Sequence, residues 1–200
     1  MFEKQIVIDA KGHLFGRLAS VVAKELLNGQ RVVIVRAEST VLSGLLFRRL
    51  TEFQDFLGVS NSKNPKRGGP YHYRAPARIL WKSIRGMIPH KTARGKAAME
   101  RLKIFEGIPH PYSHCKRVSV VSALRTLRLL PGRRYCTLSQ VSTHFGWSKA
   151  DLLEKLETKR QDRAQQYFDR KTKIASAIAV ETDKLTEVQN LRKQLSALGY

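Results

Sequence analysis

Apolar residues in this chain follow two periods, and elements end where the period changes. Gln5-Ile6-Val7-Ile8-Asp9 is a short apolar run of strand length. After Gly12 the spacing lengthens. Leu14, Leu18, Val21, Val22 and Leu26 recur at helical intervals, so residues 14–27 predict a helix. Asn28-Gly29 supplies its stop, because glycine enters the left-handed conformation that ends helices without a Cβ clash. Val32-Val33-Ile34-Val35 is a continuous β-branched run, the pattern of a strand covered on both faces. A second helix, opened at Ser43-Gly44, would carry Leu45, Leu46, Leu50, Phe53, Phe56 and Leu57. Strand, helix, strand in this order implies a parallel pair with a right-handed crossover, hence an α/β fold.

From residue 59 to 77 the periodicity fails. Three prolines and paired glycines predict irregular backbone, in which Tyr71, His72 and Tyr73 interleave with Lys63, Lys66, Arg67 and Arg74. Residues 78–88 restore a helix with two unlike faces. Leu80, Ile84 and Met87 share one, and Arg78, Lys82 and Arg85 share the other. Between Trp147 and Leu198 there is no Gly or Pro, and Ser148-x-x-Asp151 resembles a capping box. That stretch predicts a long helix with a narrow apolar stripe at Leu185, Val188, Leu191, Leu195 and Leu198, too narrow to bury itself. The expected organisation is a core over 1–147 and a helical extension over 148–200.

Composition narrows the class. Hydrophobic residues make up 42% of the 200 positions, enough for a core. No apolar stretch reaches the roughly 18–20 residues of a membrane span. Cys115 and Cys136 are too few for a disulfide framework. The opening MFEKQIVIDAKG has neither a secretory nor a transit pattern, so a soluble intracellular protein is expected.

Charge changes the picture most. Lys and Arg number 37 against 16 Asp and Glu, a net of +21. The excess is uneven. Residues 1–60 hold 8 basic and 6 acidic side chains, residues 61–120 hold 14 and 2, and residues 121–200 hold 15 and 8. A net of +12 in the middle third would destabilise a compact state through self-repulsion unless a polyanion neutralised it. Nucleic acid is the polyanion that gains most, since each phosphate contact releases condensed counterions. Cations interleaved with aromatic rings suit irregular RNA, pairing phosphates and stacking on bases. Charge and helix phase together select Lys66, Arg67, Arg78, Lys82 and Lys96 as RNA-facing candidates.

Other chemistry finds less support. Lys11-Gly12-His13-Leu14-Phe15-Gly16 follows a strand, and Glu38 ends the next one where a ribose-binding acid would lie. A dinucleotide site needs G-x-G-x-x-G, and here two glycines stand at the wrong spacing. Arg94-Gly95-Lys96-Ala97 lacks the hydroxyl residue and upstream glycine of a P-loop. His110, His114 and Cys115 are a fragment of a metal site without a second ligand cluster. No nucleophile–base motif stands out, so neither a catalytic site, a cofactor nor a metal is expected.

Several blocks resemble the universal ribosomal protein L13 family. They begin with Asp9-Ala10-x-Gly12-x-x-x-Gly16-Arg17-Leu18-Ala19-Ser20, Val35-x-Ala37-Glu38 and Ser43-Gly44. They continue in order through Gly69-Pro70-x-His72-x-Arg74-Ala75-Pro76, Arg85-Gly86-Met87-x-Pro89-His90-Lys91-Thr92-x-Arg94-Gly95 and Phe105-x-Gly107-Ile108-Pro109. Ala123-Leu124-Arg125, Leu129-x-Pro131-Gly132-Arg133 and Lys155-Leu156-Glu157-x-Lys159-Arg160 are similar to the cytosolic eukaryotic form. The resemblance implies a three-layer α/β/α core around a parallel four-stranded sheet. It also implies a structural, non-enzymatic role in the large (60S) subunit of the cytosolic ribosome, with passage through the nucleolus during assembly. The implied partners are large-subunit ribosomal RNA and neighbouring ribosomal proteins, the latter through the C-terminal helix, with no membrane and no small-molecule substrate. RNA-facing positions carried over from the family are Gly69, His72, Arg74, Arg85, His90, Lys91, Arg94 and Gly95. Ala77 stands where some animal members carry Ser, so a switch by phosphorylation of that hydroxyl has no place here. The rival readings are an extra-ribosomal RNA-binding translational regulator with the same basic surface, and a nucleotide-dependent enzyme using residues 9–38.

Overall fold

The computed structural model describes residues 4–61, 63, 64, 66, 68–184 and 186–199. Its centre is a parallel sheet in the order β1 (Ile6–Asp9), β2 (Val32–Val35) and β4 (Leu102–Ile104). Ile6 pairs with Val32, and Val32 with Leu102, so β2 is the middle strand and its four residues are all buried. The family resemblance implies four strands. Three are regular, and the fourth place, beside β1, is held by a single parallel bridge between Ile8 and Val118. Asp9 N–H donates to Val118 O at 3.1 Å and Val118 N–H to Val7 O at 2.8 Å, which closes the β1 edge without a full strand.

Alternation along the strands sends Ile8, Val32 and Ile34 to one face and Val7, Val33 and Val35 to the other. The first face is covered by α1 (Phe15–Asn28), α3 (Pro76–Met87) and α4 (Ala93–Glu100) through Leu18, Val22, Leu26, Leu80, Ile84 and Ala98. The second is covered by Phe105, Ile108 and Tyr112, the last from the single-turn helix α5 (His110–Ser113). This is the expected α/β class in three layers. α1 ends as its sequence predicts, with Gly29 at φ 109° and its N–H bonded to Leu26 O at 3.2 Å.

A second, two-stranded sheet pairs β3 (Val41–Ser43) antiparallel with β5 (Tyr135–Thr137), the chain reaching β5 through the short helix α6 (Arg125–Arg128). It holds α2 (Leu46–Gly58) and α7 (Leu138–His144) next to the core. The apolar stripe expected of α2 is shallow, for none of that helix is buried. In α3 the stripe is also corrected at one end. Met87 is 46% exposed, and Ile88, just past the helix, packs in its place at 3%.

The chain divides into two compact units, residues 1–154 and 155–200. In the second unit the backbone is helical over the rest of α8 (Ala150–Lys184) and over α9 (Thr186–Ala197). Tyr167, Phe168, Ile174, Ile178, Leu191, Leu195 and Leu198 are exposed there, and Val188 is half-buried. Leu185, the first residue of the predicted stripe, lies outside the described residues.

A candidate nucleic-acid interface

The basic middle third folds around α3 and the turn into α4. Pro76 sits at the first position of α3, where its missing N–H costs nothing, and Ala77 N–H donates to Glu106 Oε1 at 3.3 Å. Leu80 and Ile84 anchor the buried face, which fixes the direction of the opposite one. There the three predicted cations meet rings. The Arg78 guanidinium lies 5.4 Å from the Trp81 ring centre and 5.7 Å from that of Tyr73, and Arg85 lies 5.7 Å from Trp81. Lys82 Nζ lies 4.0 Å from the centre of the Phe56 ring and donates to Tyr71 O at 2.8 Å. Burial there, then the charge of Arg85, lowers the Lys82 pKa from its usual value.

The loop before α3 is tied down by the same cluster. His72 stacks on Phe56 at 4.8 Å and 20°, and Tyr71 stacks on Tyr73 at 6.1 Å and 17°. Phe56 and Trp81 were not among the sequence candidates. Trp81 could have been found from its spacing, three residues after Arg78 and four before Arg85, which puts it between two cations on a helix. Phe56 carried no such signal, because its partners come from another part of the chain.

The turn 88–95 is built by Thr92. Its hydroxyl donates to Pro89 O at 2.8 Å and accepts from Gly95 N–H at 3.2 Å, capping α4. Gly95 is buried against this turn. A Cβ there would stand 1.9 Å from Pro89 O and 2.4 Å from Pro89 C, so the glycine permits close packing of the chain on itself.

Around this scaffold, Lys66, Gly69, Arg74, Arg78, Lys91, Arg94 and Lys96 are exposed, while His72, Lys82, Arg85 and His90 are half-buried. Arg67 lies outside the described residues. Among the described residues, Arg74, Lys91, Arg94 and Lys96 take part in no salt bridge. The candidates therefore separate by job. One set binds rings and loop backbone within the protein, and the other presents free positive charge beside it.

The other sites weighed from sequence have internal uses. Glu38 Oε2 accepts Gly107 N–H at 3.0 Å, and burial raises the Glu38 pKa despite that bond. Burial also pushes Asp9 upward, but the hydrogen bonds of Arg36 and the Lys11 N–H, with the charges of Arg36 and Arg117, outweigh it and lower its pKa. Among the described residues, no three His, Cys, Asp or Glu side chains are placed to hold a metal ion. Nor is any helix of the described residues long and apolar enough to cross a membrane.

Comparison with known proteins decides what kind of scaffold this is. Residues 3–111 match the family described as Ribosomal protein L13, a span that takes in the parallel sheet and α1 to α4. Over all 200 residues the chain is 52% identical to the large ribosomal subunit protein uL13 of Tetrahymena thermophila, covering 100% of both chains. The chain belongs to the ribosomal protein L13 family. Membership of the L13 family makes it a structural ribosomal protein and not an enzyme. The L13 match also contains every residue of the basic surface just described, and the full-length identity carries it through the helical second unit.

Proposed function

We propose that the chain is a structural constituent of the large subunit of the cytosolic ribosome, where it binds and organises ribosomal RNA through residues 58–103. One observation carries this reading: Arg74, Lys91, Arg94 and Lys96 stand exposed and unpaired, among the described residues, beside a cluster that is already ordered. Cations fixed on a folded support lose little further freedom when they meet phosphates. Contacts to the RNA backbone set position, and the shape of the folded RNA sets specificity. Lys66 and Gly69 extend the surface from the loop. Arg78, Lys82, Arg85, His72 and His90 complete it at its inner edge, and Gly95 contributes by shaping the turn.

In this reading residues 1–147 are the RNA-binding α/β core, and the helical extension over 148–200 docks on neighbouring large-subunit proteins. The apolar side chains Tyr167, Phe168, Ile174 and Ile178 support that assignment, since more than half of each stands exposed. The protein would work in the cytosol and pass through the nucleolus during assembly.

The test replaces the cellular copy with charge-reversed forms and follows them in sucrose gradients. Lys91→Glu with Arg94→Glu should reduce incorporation into large subunits by roughly tenfold or more, because several phosphate contacts reverse sign together. Lys149→Glu with Lys155→Glu, equal in charge but outside the 58–103 surface, should reduce incorporation less. Equal incorporation of the two forms would overturn the site. A form that is active in cells but bound to messenger RNA and missing from ribosomes would favour the regulator instead.

A further inference from the structure

A second set of cations lies away from the 58–103 surface. The start of α2 and the turn 129–134 enclose an open groove of 930 Å3, lined in part by Leu45, Phe47, Arg48, Leu129, Arg133 and Arg134. Gly44 N–H donates to Arg134 O at 2.8 Å and joins the two walls. Phe47 is 79% exposed and Leu45 51%, so apolar side chains stand open to water at the groove's edge. Neighbouring Arg49 has internal partners, donating from Nε to Ser43 O at 2.8 Å and pairing with Glu52 at 2.6 Å. Arg48, Arg133 and Arg134 are exposed and, among the described residues, in no salt bridge. The first turn of α2 has no acidic residue and no side-chain cap, which leaves the positive end of the helix dipole at the same place.

We propose that this groove docks an acidic, amphipathic segment of a partner protein. Carboxylates of that segment meet the three arginines and the helix start, while its apolar side chains cover Leu45, Phe47 and Leu129. Aromatic and arginine side chains around an apolar centre are the composition of protein–protein hot spots. RNA would use the place less well. Bases gain most from flat rings, and this wall offers one phenylalanine among leucines. The proposal does not depend on RNA binding elsewhere, for no residue of the groove belongs to the 58–103 surface.

The experiment uses the full chain and three probes in fluorescence anisotropy. The first is a helix-forming peptide of about five turns with Glu on one face and Leu and Phe on the other. The second has Ser in place of the apolar residues, and the third is an oligouridylate of similar length. The amphipathic peptide should bind roughly tenfold more tightly than its Ser counterpart, and Phe47→Ser should remove most of that advantage. Since Phe47 is largely exposed, that change leaves the fold intact. Arg133→Glu with Arg134→Glu should weaken both peptides, and Lys24→Glu with Lys116→Glu, exposed residues that do not line the groove, neither. Equal binding of the two peptides would reduce the groove to bare charge and overturn the proposal. So would an unchanged affinity in Phe47→Ser, or a loss of oligouridylate binding in that variant, which would mark the groove as an RNA site.

Discussion

His13 is 1% exposed, yet both of its ring nitrogens have partners. Nε2 accepts the N–H of Val120 at 2.9 Å, and Nδ1 lies 3.2 Å from the carbonyl of Lys11. A ring that accepts at Nε2 and donates at Nδ1 is neutral. Burial lowers its pKa from the usual 6.5, against smaller opposing effects of nearby carbonyls and Asp9. The sign of the linkage follows. Below about pH 6.5 the unfolded chain takes up a proton that the folded one refuses, so this residue's contribution to stability falls as pH drops toward its folded pKa. The slope reaches at most about 1.4 kcal/mol per pH unit for one proton. Glu38 acts in the opposite sense, its raised pKa favouring the folded state at low pH, so the two must be separated. In urea titrations between pH 7 and 5, His13→Gln should lose stability overall but show a flatter pH dependence. A parallel slope in the two proteins would remove His13 as the source. None of this was legible in the sequence. His13 reads as a turn residue between two glycines, and Val120 stands 107 positions away.

At the scale of elements, sequence legibility depends on the distance between partners. β1, α1 and β2 follow each other in the chain, so periodicity alone located them and the Gly29 stop. The β3–β5 pair joins Leu42 to Cys136, and three-residue strands carry too few positions for a period to show. The His90–Gly95 block is an intermediate case. The family resemblance marked Gly95 as an RNA-facing position, and the structure shows the backbone of Pro89, in the same turn, pressed against it. Gly95→Ala should therefore force α4 away from the 88–92 turn, at a cost of about 3 kcal/mol, while tilting Lys91 and Arg94 out of position. Gly86 provides the contrast, being exposed in the last part of α3 with open space around a new Cβ. Gly86→Ala should stabilise by up to about 1 kcal/mol through helix propensity. Urea midpoints of the two variants decide this. A Gly95→Ala protein as stable as the original would show that the turn can yield, and the block would then lose its structural explanation.

Across the whole molecule, sequence counted the charge but could not divide it between internal and external use. Arg78, Lys82 and Arg85 read as a bare cationic row, and their rings belong partly to other elements. What remains exposed on the chain still has to be neutralised, and salt distinguishes two ways of doing so. For the free chain, phosphate contacts alone give affinity. With about six contacts, binding to a ribosomal RNA fragment should weaken roughly a thousandfold between 50 and 200 mM salt. Salt should at the same time stabilise the free fold slightly, by screening repulsion within the +21 chain. On the proposed function, release from an assembled subunit would require breaking the RNA contacts and the docking of the helical extension together. Linked contacts raise the effective concentration of each for the other, so dissociation is far slower than the free affinity suggests. The chain should therefore stay with large subunits sedimented through about 0.5 M salt, where the isolated complex has already dissociated. Truncation after residue 147 should bring the two behaviours together, with subunits that load the core at low salt and lose it at high salt. If instead the full chain washes off as readily as the truncated one, the extension makes no second attachment, and the protein is held at the periphery by charge alone.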